Sequence, residues 1–339
     1  MVLTKNIPAY YFPTKVFLVD DNKDFLMNFS LQLEPNLAYS LFESPHEALR
    51  YLLQDNKVSQ LNQHVFSDQN DGNEFSMTSQ TIKLDISEIH KEIFDQHRFE
   101  EVSVIIVDYD MPGLDGLELC HRLKERPVKK ILLTGKADEK LAISAFNDGL
   151  IDHFIQKSDP NIVSQINESI AVLQKQYFLD ATKIITKLLR MDATGFMRDT
   201  IFIELFNKIC QDNNIVEYYL TENTGSFLML DAQAKPSWLV TKYYDDLKIH
   251  YEIAENNHAP VEVLEALRSG DKLPYTWNTK DYFSANSRDW SKQLHSAEEL
   301  SGKDTYYYAY IKELDSFDVK KGEILSYAEY LRQADINSI

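Results

Sequence analysis

The chain has 339 residues, 44% of them hydrophobic, and carries 53 acidic against 35 basic side chains for a formal net charge of −18. That length suggests about two domains, and the charge disfavours nucleic acid and anionic membrane as partners. No apolar run approaches the roughly 18 to 20 residues that would span a bilayer, and the first residues lack the apolar core of a signal peptide. A cytoplasmic protein is therefore expected. Cys120 and Cys210 lie in segments predicted helical in different halves, as free thiols of a reducing compartment.

In chain order, Lys15 to Val19 and Val102 to Val107 are apolar runs that read as strands buried on both faces of a parallel sheet. Ile131-Leu132-Leu133 and His153-Phe154-Ile155 read the same way. Each run is followed by a helical pattern; in Ala137 to Asn147, Leu141, Ala142, Ala145 and Phe146 share one face. Alternating strands and helices predict a doubly wound parallel sheet. Its reactive groups belong at the carboxyl ends of the strands, near the switch in strand order. Asp20, Asp21, Asp108, Thr134 and Lys157 all fall at such ends.

Clustered carboxylates repel one another and persist at neutral pH only if protons or a cation offset their charge. All-oxygen ligation by a few carboxylates suits Mg²⁺, which keeps several waters and bridges to phosphate. A Thr hydroxyl and a Lys ammonium can supply the remaining partners of phosphoryl oxygens. The constellation predicts Mg²⁺-dependent phosphoryl transfer to a carboxylate. Asp108 is the nucleophile, Asp21 a direct metal ligand, Asp20 a ligand through water, and Asp110 a donor of its backbone carbonyl. Thr134 and Lys157 hold the phosphoryl oxygens.

The segments FLVDDN, VIIVDYDMPGLDG, LLTGKA and FIQK, in this order and with 26 and 23 positions between Asp108, Thr134 and Lys157, resemble the receiver domain of bacterial response regulators. The resemblance spans residues 14 to 180 and implies a five-stranded flavodoxin-like fold with a sensor histidine kinase as phosphoryl donor. It also implies that Thr134 and Phe154 move together as a two-state switch once Asp108 is phosphorylated. Over the whole length, including GSFLMLDAQAKPSWLV and DTYYYAYI, the chain is similar to response regulators of quorum sensing. Two rival readings stand beside this one. Asp108-Tyr109-Asp110 after an apolar strand also matches the nucleophile motif of haloacid-dehalogenase-type phosphatases, whose acidic pair, however, follows the Lys. Ordinary strand-end and helix-capping carboxylates explain any one of these residues, but not five residue types in order.

Two features depart from the family pattern. Asp20 and Asp108 are 88 positions apart, and the surplus lies in residues 55–98. Asp55 to Gln80 reads as a polar loop. Ile86 to Phe99 reads as a helix capped by Ser87, with Ile86, Ile89, Ile93 and Phe94 as its apolar face. This insertion is either a neutral decoration or a docking surface for a partner or kinase. The second feature is the pair Asp110 and Lys136, two positions after Asp108 and Thr134. They are either an ion pair partly covering Asp108 and slowing loss of the phosphoryl group, or two solvated side chains.

With residues 1–160 assigned to the receiver, Asp159 and Pro160 start a long helix, with Asp159 as N-cap, that runs over 161–190 to about Arg190. Apolar residues at 163, 166, 170, 173, 177, 181, 184 and 188 keep a nearly heptad rhythm. The helix either pairs with its twin, giving a homodimer when phosphorylated, or packs on its own two domains. Residues 191–339 read as an α+β output domain. Helices are predicted at Thr200 to Gln211, Pro260 to Arg268 and Glu323 to Arg332, and strands at Val216 to Thr221, Ser226 to Leu230, Trp238 to Lys242 and Tyr306 to Ile311. This half holds 25 acidic and 15 basic residues and no helix-turn-helix, so direct DNA binding is disfavoured. His250, His258 and His295 have neither ligand nor triad spacing, and the Tyr306-Tyr307-Tyr308-Ala309-Tyr310 run reads as core rather than pocket. An interaction module with an unidentified partner is expected, with a nucleotide-binding or enzymatic module as the alternative.

Overall fold

The computed structural model describes residues 6–54, 66–68, 82–135, 138–188, 195–222, 225–277, 290–314, 317 and 322–337. After a two-residue strand β1 (Tyr10–Tyr11) come β2 (Lys15–Val19), α1 (Lys23–Ser30), β3 (Tyr39–Phe42) and α2 (Pro45–Gln54). A backbone hairpin, β4 (Phe66–Asp68) and β5 (Ile82–Leu84), precedes α3 (Ser87–Lys91). Then follow β6 (Val102–Asp108), α4 (Gly116–Arg122), β7 (Lys129–Thr134), α5 (Glu139–Asn147) and β8 (His153–Gln156). The parallel sheet has the order β3-β2-β6-β7-β8, the expected doubly wound five-stranded arrangement. Its central strand shows why an unbroken apolar run is needed. Val104 and Ile106 enter the core on one face with Leu26, Phe29 and Ile166, while Ile105 and Val107 enter the core on the other with Leu49, Leu119 and Ala142. Period-two alternation thus serves two helical layers at once.

The long helix differs from expectation at both ends. It is α6 (Ile162–Ala181), with Asn161 rather than Asp159 at the N-cap; the Asp159 carboxylate accepts from the Asn161 amide at 2.7 Å. It stops at Thr182, whose hydroxyl donates back to the Phe178 carbonyl at 2.8 Å, and restarts as α7 (Lys183–Leu188). Much of its apolar stripe is buried within the chain: Ile166, Ile170 and Leu173 pack under the parallel sheet, and Tyr177 packs into the second core together with its neighbours Phe178 and Ile185. Packing on its own two domains accounts for this part of the stripe, while Ile184 remains 56% exposed.

The second unit begins before the receiver. β1 pairs antiparallel with β9 (Ile215–Leu220), Tyr10 opposite Tyr219, so residues that precede β2 belong to the other sheet, a departure from the division at residue 160. The order of that sheet is β1-β9-β10-β11-β15-β14, with β10 (Phe227–Asp231), β11 (Pro236–Tyr243), β14 (Glu298–Ser301) and β15 (Thr305–Ile311) all antiparallel, and β12 (Lys272–Pro274) pairs with β13 (Leu294–Ser296) beside it. Helices α8 (Thr200–Asp212), α9 (Tyr244–Asn256), α10 (Val261–Ser269) and α11 (Tyr327–Asn337) complete it. α9 escaped the sequence analysis because its start is set by a backbone cap, Tyr243 N–H donating to the Asp246 carboxylate at 2.9 Å, within a polar, aromatic stretch. Tyr306 is fully buried and Tyr307, Tyr308 and Tyr310 pack around the same core, as the core reading of that run requires. No helix among the described residues is long and apolar enough to cross a membrane.

The C-terminal part of the insertion is neither a free helix nor an open surface. Only Ser87–Lys91 is α-helical; Glu92–Phe94 and Arg98–Glu100 are single 3₁₀ turns, and the N-cap is Ile86 rather than Ser87, whose amide and hydroxyl donate to the Asp85 carboxylate. Ile89, Ile93 and Phe99 are buried against the second sheet, whereas Phe94 stays 41% exposed. Arg98, fully buried, meets Glu217 on β9 through two parallel contacts, Nε to Oε2 at 2.9 Å and Nη2 to Oε1 at 3.0 Å. It also donates to the Leu325 carbonyl and lies 4.0 Å over the Phe99 ring. Tyr219 donates a further bond to the same carboxylate. A buried ion pair of this kind costs desolvation of both partners, but removing only one leaves an uncompensated charge. Arg98→Ala is therefore expected to destabilise the fold by about 3–5 kcal/mol, while Arg98→Met combined with Glu217→Leu recovers most of that loss; equal melting temperatures for the single and double variants would reject the pairing as the cause.

Candidate functional site

Strand register brings the predicted residues together. Val19 pairs with Val107, so the chain leaves β2 and β6 side by side and Asp20 arrives next to Asp108. Asn22 then caps α1, its side chain accepting from the Phe25 amide at 3.0 Å, while its own amide donates to Asp20 Oδ1 at 2.8 Å. This turn fixes the Asp20 carboxylate and leaves Asp21 exposed. On the other side, Asp108 pairs with Leu133 and Thr134 with Gln156, and the Lys157 amide donates to the Thr134 carbonyl at 2.9 Å. Lys157 Nζ reaches both acids, 2.6 Å from Asp20 Oδ2 and 2.9 Å from Asp108 Oδ1. Ligand oxygens of Asp20, Asp21 and Asp108 all lie within 4.8 Å of one another.

The electrostatics follow from burial. Asp108 is 6% and Asp20 1% exposed. Desolvation pushes the Asp108 carboxyl above its ordinary range; Lys157 pulls it back, and Asp20 adds to the rise. Burial alone would weaken the Lys157 ammonium, but hydrogen bonds to Asp20 and Asp108 outweigh it and hold that group above its usual value. Thr134 is fully buried and its Oγ1 has no hydrogen-bond partner. A buried hydroxyl without a partner costs free energy, and here it sits on the strand between those that deliver Asp108 and Lys157. The three carboxylates offer only hard oxygen donors, a set that fits Mg²⁺.

Phe154, the second residue expected to switch, is half-buried on β8, with its ring 6.2 Å from Phe146 and at 69° to it. Asp110 is exposed, and Lys136 lies outside the described residues. Three residues of the site were not singled out from the sequence. Asn22 orients Asp20; Phe25 places its ring 4.6 Å from Lys157 Nζ. Gly116 lets α4 start against β6, since a Cβ there would lie 2.2 Å from the Asp108 carbonyl oxygen. The N-cap pattern of Asn22 was legible locally, but the contacts of Phe25 and Gly116 exist only across the fold.

The family model of the response regulator receiver domain matches residues 72–168. That span starts inside the insertion and leaves out β2 with Asp20 and Asp21. The chain is 41% identical to the response regulator LqsR of Legionella pneumophila, covering 98% of both chains with a TM-score of 0.82. Among curated proteins, it is 36% identical over 70 residues to the transcriptional regulatory protein FixJ of Bradyrhizobium diazoefficiens, 20% of this chain and 34% of that one. It is 32% identical over 79 residues to the cyclic di-GMP phosphodiesterase response regulator RpfG of Xanthomonas campestris, 22% of this chain and 21% of that one. The chain thus spans only about a fifth to a third of the length of these two curated relatives.

The close approach at Gly116 sets a measurable order of costs. At Gly149, with φ +68° and open space around a built Cβ, an alanine meets only left-handed strain, about 1–2 kcal/mol. Gly116→Ala is expected to lower the melting temperature more than Gly149→Ala, because a backbone carbonyl cannot rotate away; the reverse order would mean that α4 slides along β6 at little cost.

Proposed function

The chain belongs to the bacterial response regulators, in the group that contains LqsR, and from this membership we propose that it accepts a phosphoryl group on Asp108 from a sensor histidine kinase. The observation that carries the proposal is the orphaned Thr134 hydroxyl between the strand ends of Asp108 and Lys157, a donor set that an arriving phosphoryl group would complete. An Asp108 oxygen attacks the phosphorus of a phosphohistidine, a P–O bond forms, the P–N bond breaks, and the imidazole departs with the bonding pair. Lys157 and Thr134 hold phosphoryl oxygens. Asp21 directly, Asp20 through water, Asp108, and the Asp110 carbonyl would hold Mg²⁺, which supplies positive charge against the carboxylates and the incoming group.

Thr134 then turns toward the phosphoryl group and Phe154 packs inward behind it, a two-state switch biased by a charge event. A half-buried Phe154 with a ring neighbour on α5 supports that movement. The switch acts in the cytoplasm, within a quorum-sensing relay, on the strength of the whole-length resemblance. It controls an acidic output unit whose partner is not DNA, and it favours a homodimer. No catalysis beyond the protein's own phosphorylation is assigned. Family membership displaces the phosphatase reading, and the acidic pair precedes Asp108 as receivers require.

With acetyl phosphate and Mg²⁺, intact mass is expected to show one phosphoryl adduct on the wild type and none on Asp108→Asn; an unmodified wild type would overturn the proposal. Mg²⁺ alone is expected to raise the melting temperature of the wild type but not of Asp21→Ala, and equal shifts would remove Asp21 from the ligand set. Asp110 and Lys136 are proposed to pair over the acyl phosphate, so Lys136→Ala shortens the half-life of the adduct; an unchanged half-life rejects the pair.

A further inference from the structure

Lys157 is the only described ammonium at the acidic cluster, and its position depends on more than the acids it touches. An ammonium has three N–H donors. Contacts to Asp20 and Asp108 account for two directions, and the Phe25 ring lies 4.6 Å from Nζ, within the roughly 6 Å reach of a cation–π contact. The ring is itself oriented. It stacks on Phe29 one turn later, with centroids 5.5 Å apart and planes 11° from parallel, and Phe29 is 4% exposed in the receiver core. α1 in turn is anchored to the acidic turn through the Asn22 cap.

We propose that Phe25 is a positioning residue for Lys157, its ring face holding the ammonium over the phosphoacceptor without neutralising it. This rests on the phosphoryl-acceptor reading of Asp108. A third carboxylate at this place would compete with the incoming phosphoryl group for the same cation, and an aliphatic side chain would leave the third donor direction to water. An aromatic quadrupole attracts the cation yet is weakly directional. Lys157 can therefore pass from Asp20 to a phosphoryl oxygen while staying on the ring. The role is one of geometry, exerted through Lys157, and Phe25 touches no reacting atom.

The test uses the full-length protein with Phe25→Leu, Phe25→Tyr, Phe25→Trp and site-specific mono-, di- and trifluorophenylalanine at position 25, which grade the ring quadrupole at nearly constant size. Phosphorylation by acetyl phosphate is expected to slow about twofold to tenfold in Phe25→Leu, to fall stepwise with fluorine number, and to be retained in Phe25→Tyr and Phe25→Trp. A second readout needs no phosphorylation. With ¹³C-labelled lysine, the Lys157 Hε resonances, assigned by their loss in Lys157→Arg, are expected to carry an upfield ring-current shift that Phe25→Leu removes and Phe25→Tyr keeps. A wild-type rate in Phe25→Leu, indifference to fluorination, or an unshifted Lys157 resonance overturns the proposal. If the wild type takes no phosphoryl group while the Lys157 shift is present and Phe25-dependent, the reading of Asp108 fails and the hold of Phe25 on Lys157 stands.

Discussion

Gathering carboxylates around one ammonium is the constraint on which the rest of this structure depends. Asp20 and Asp108 are both buried, and neither could be kept there by hydration. Lys157 offsets part of their repulsion, yet the Asp108 carboxyl still lies above its ordinary range because burial outweighs the pairing. A site of this kind folds only on a rigid frame. Five parallel strands supply it, and their ends deliver Asp20 and Asp21 after β2, Asp108 on β6, Thr134 on β7 and Lys157 after β8 to the same edge. Gly116 and the Asn22 cap then fix the two turns nearest the acids.

The second constraint is that the two units share elements. β1 lies before the receiver in the chain but extends the antiparallel sheet of the other unit, α6 buries one end of its stripe in each core, and the insertion is held to β9 by Arg98 and Glu217. Glu100, paired with Lys15, and Glu101, which accepts from Tyr177, stand immediately before β6. Asp108 ends that same strand, about 20 Å away at the usual rise of a strand. The insertion therefore joins the second unit to the start of the strand whose far end carries Asp108. Tyr327 adds a further tie, donating to the Asn36 carbonyl and accepting from the Ala38 amide ahead of β3.

Legibility varied with the range of the interaction. Lys15 to Val19, Val102 to Val107 and Ile131 to Leu133 were readable as buried strands because burial on both faces demands uninterrupted aliphatic residues, a property of consecutive positions, whereas His153 to Ile155, read the same way, forms an edge strand with His153 exposed and Phe154 half-buried. The end of the long helix was not. Nothing between Pro160 and Gly195 breaks a helix by propensity, and the interruption at Thr182 coincides with its hydroxyl bonding Phe178 and receiving the Ala9 amide from a segment 173 positions away. The insertion helix was overestimated for a related reason. Ile89 and Ile93 do face a core, but Arg98 is drawn into a pairing with Glu217, and the backbone tightens into 3₁₀ turns to deliver it.

The identities and order of Asp20, Asp21, Asp108, Thr134 and Lys157 were carried by the linear chain, because each sits where an apolar run stops and a polar group begins. Their convergence required the strand order, which no single segment specifies: β2 and β6 are separated by the insertion yet pair side by side. Which partner the stripe of α6 would meet, where β1 would pair, and which ring would face Lys157 were decided only on folding. An amphipathic pattern states that a face must be buried and leaves open against what. Contacts between residues far apart in the chain settle that, and here they join α6 and the C-terminal part of the insertion to both units of one molecule.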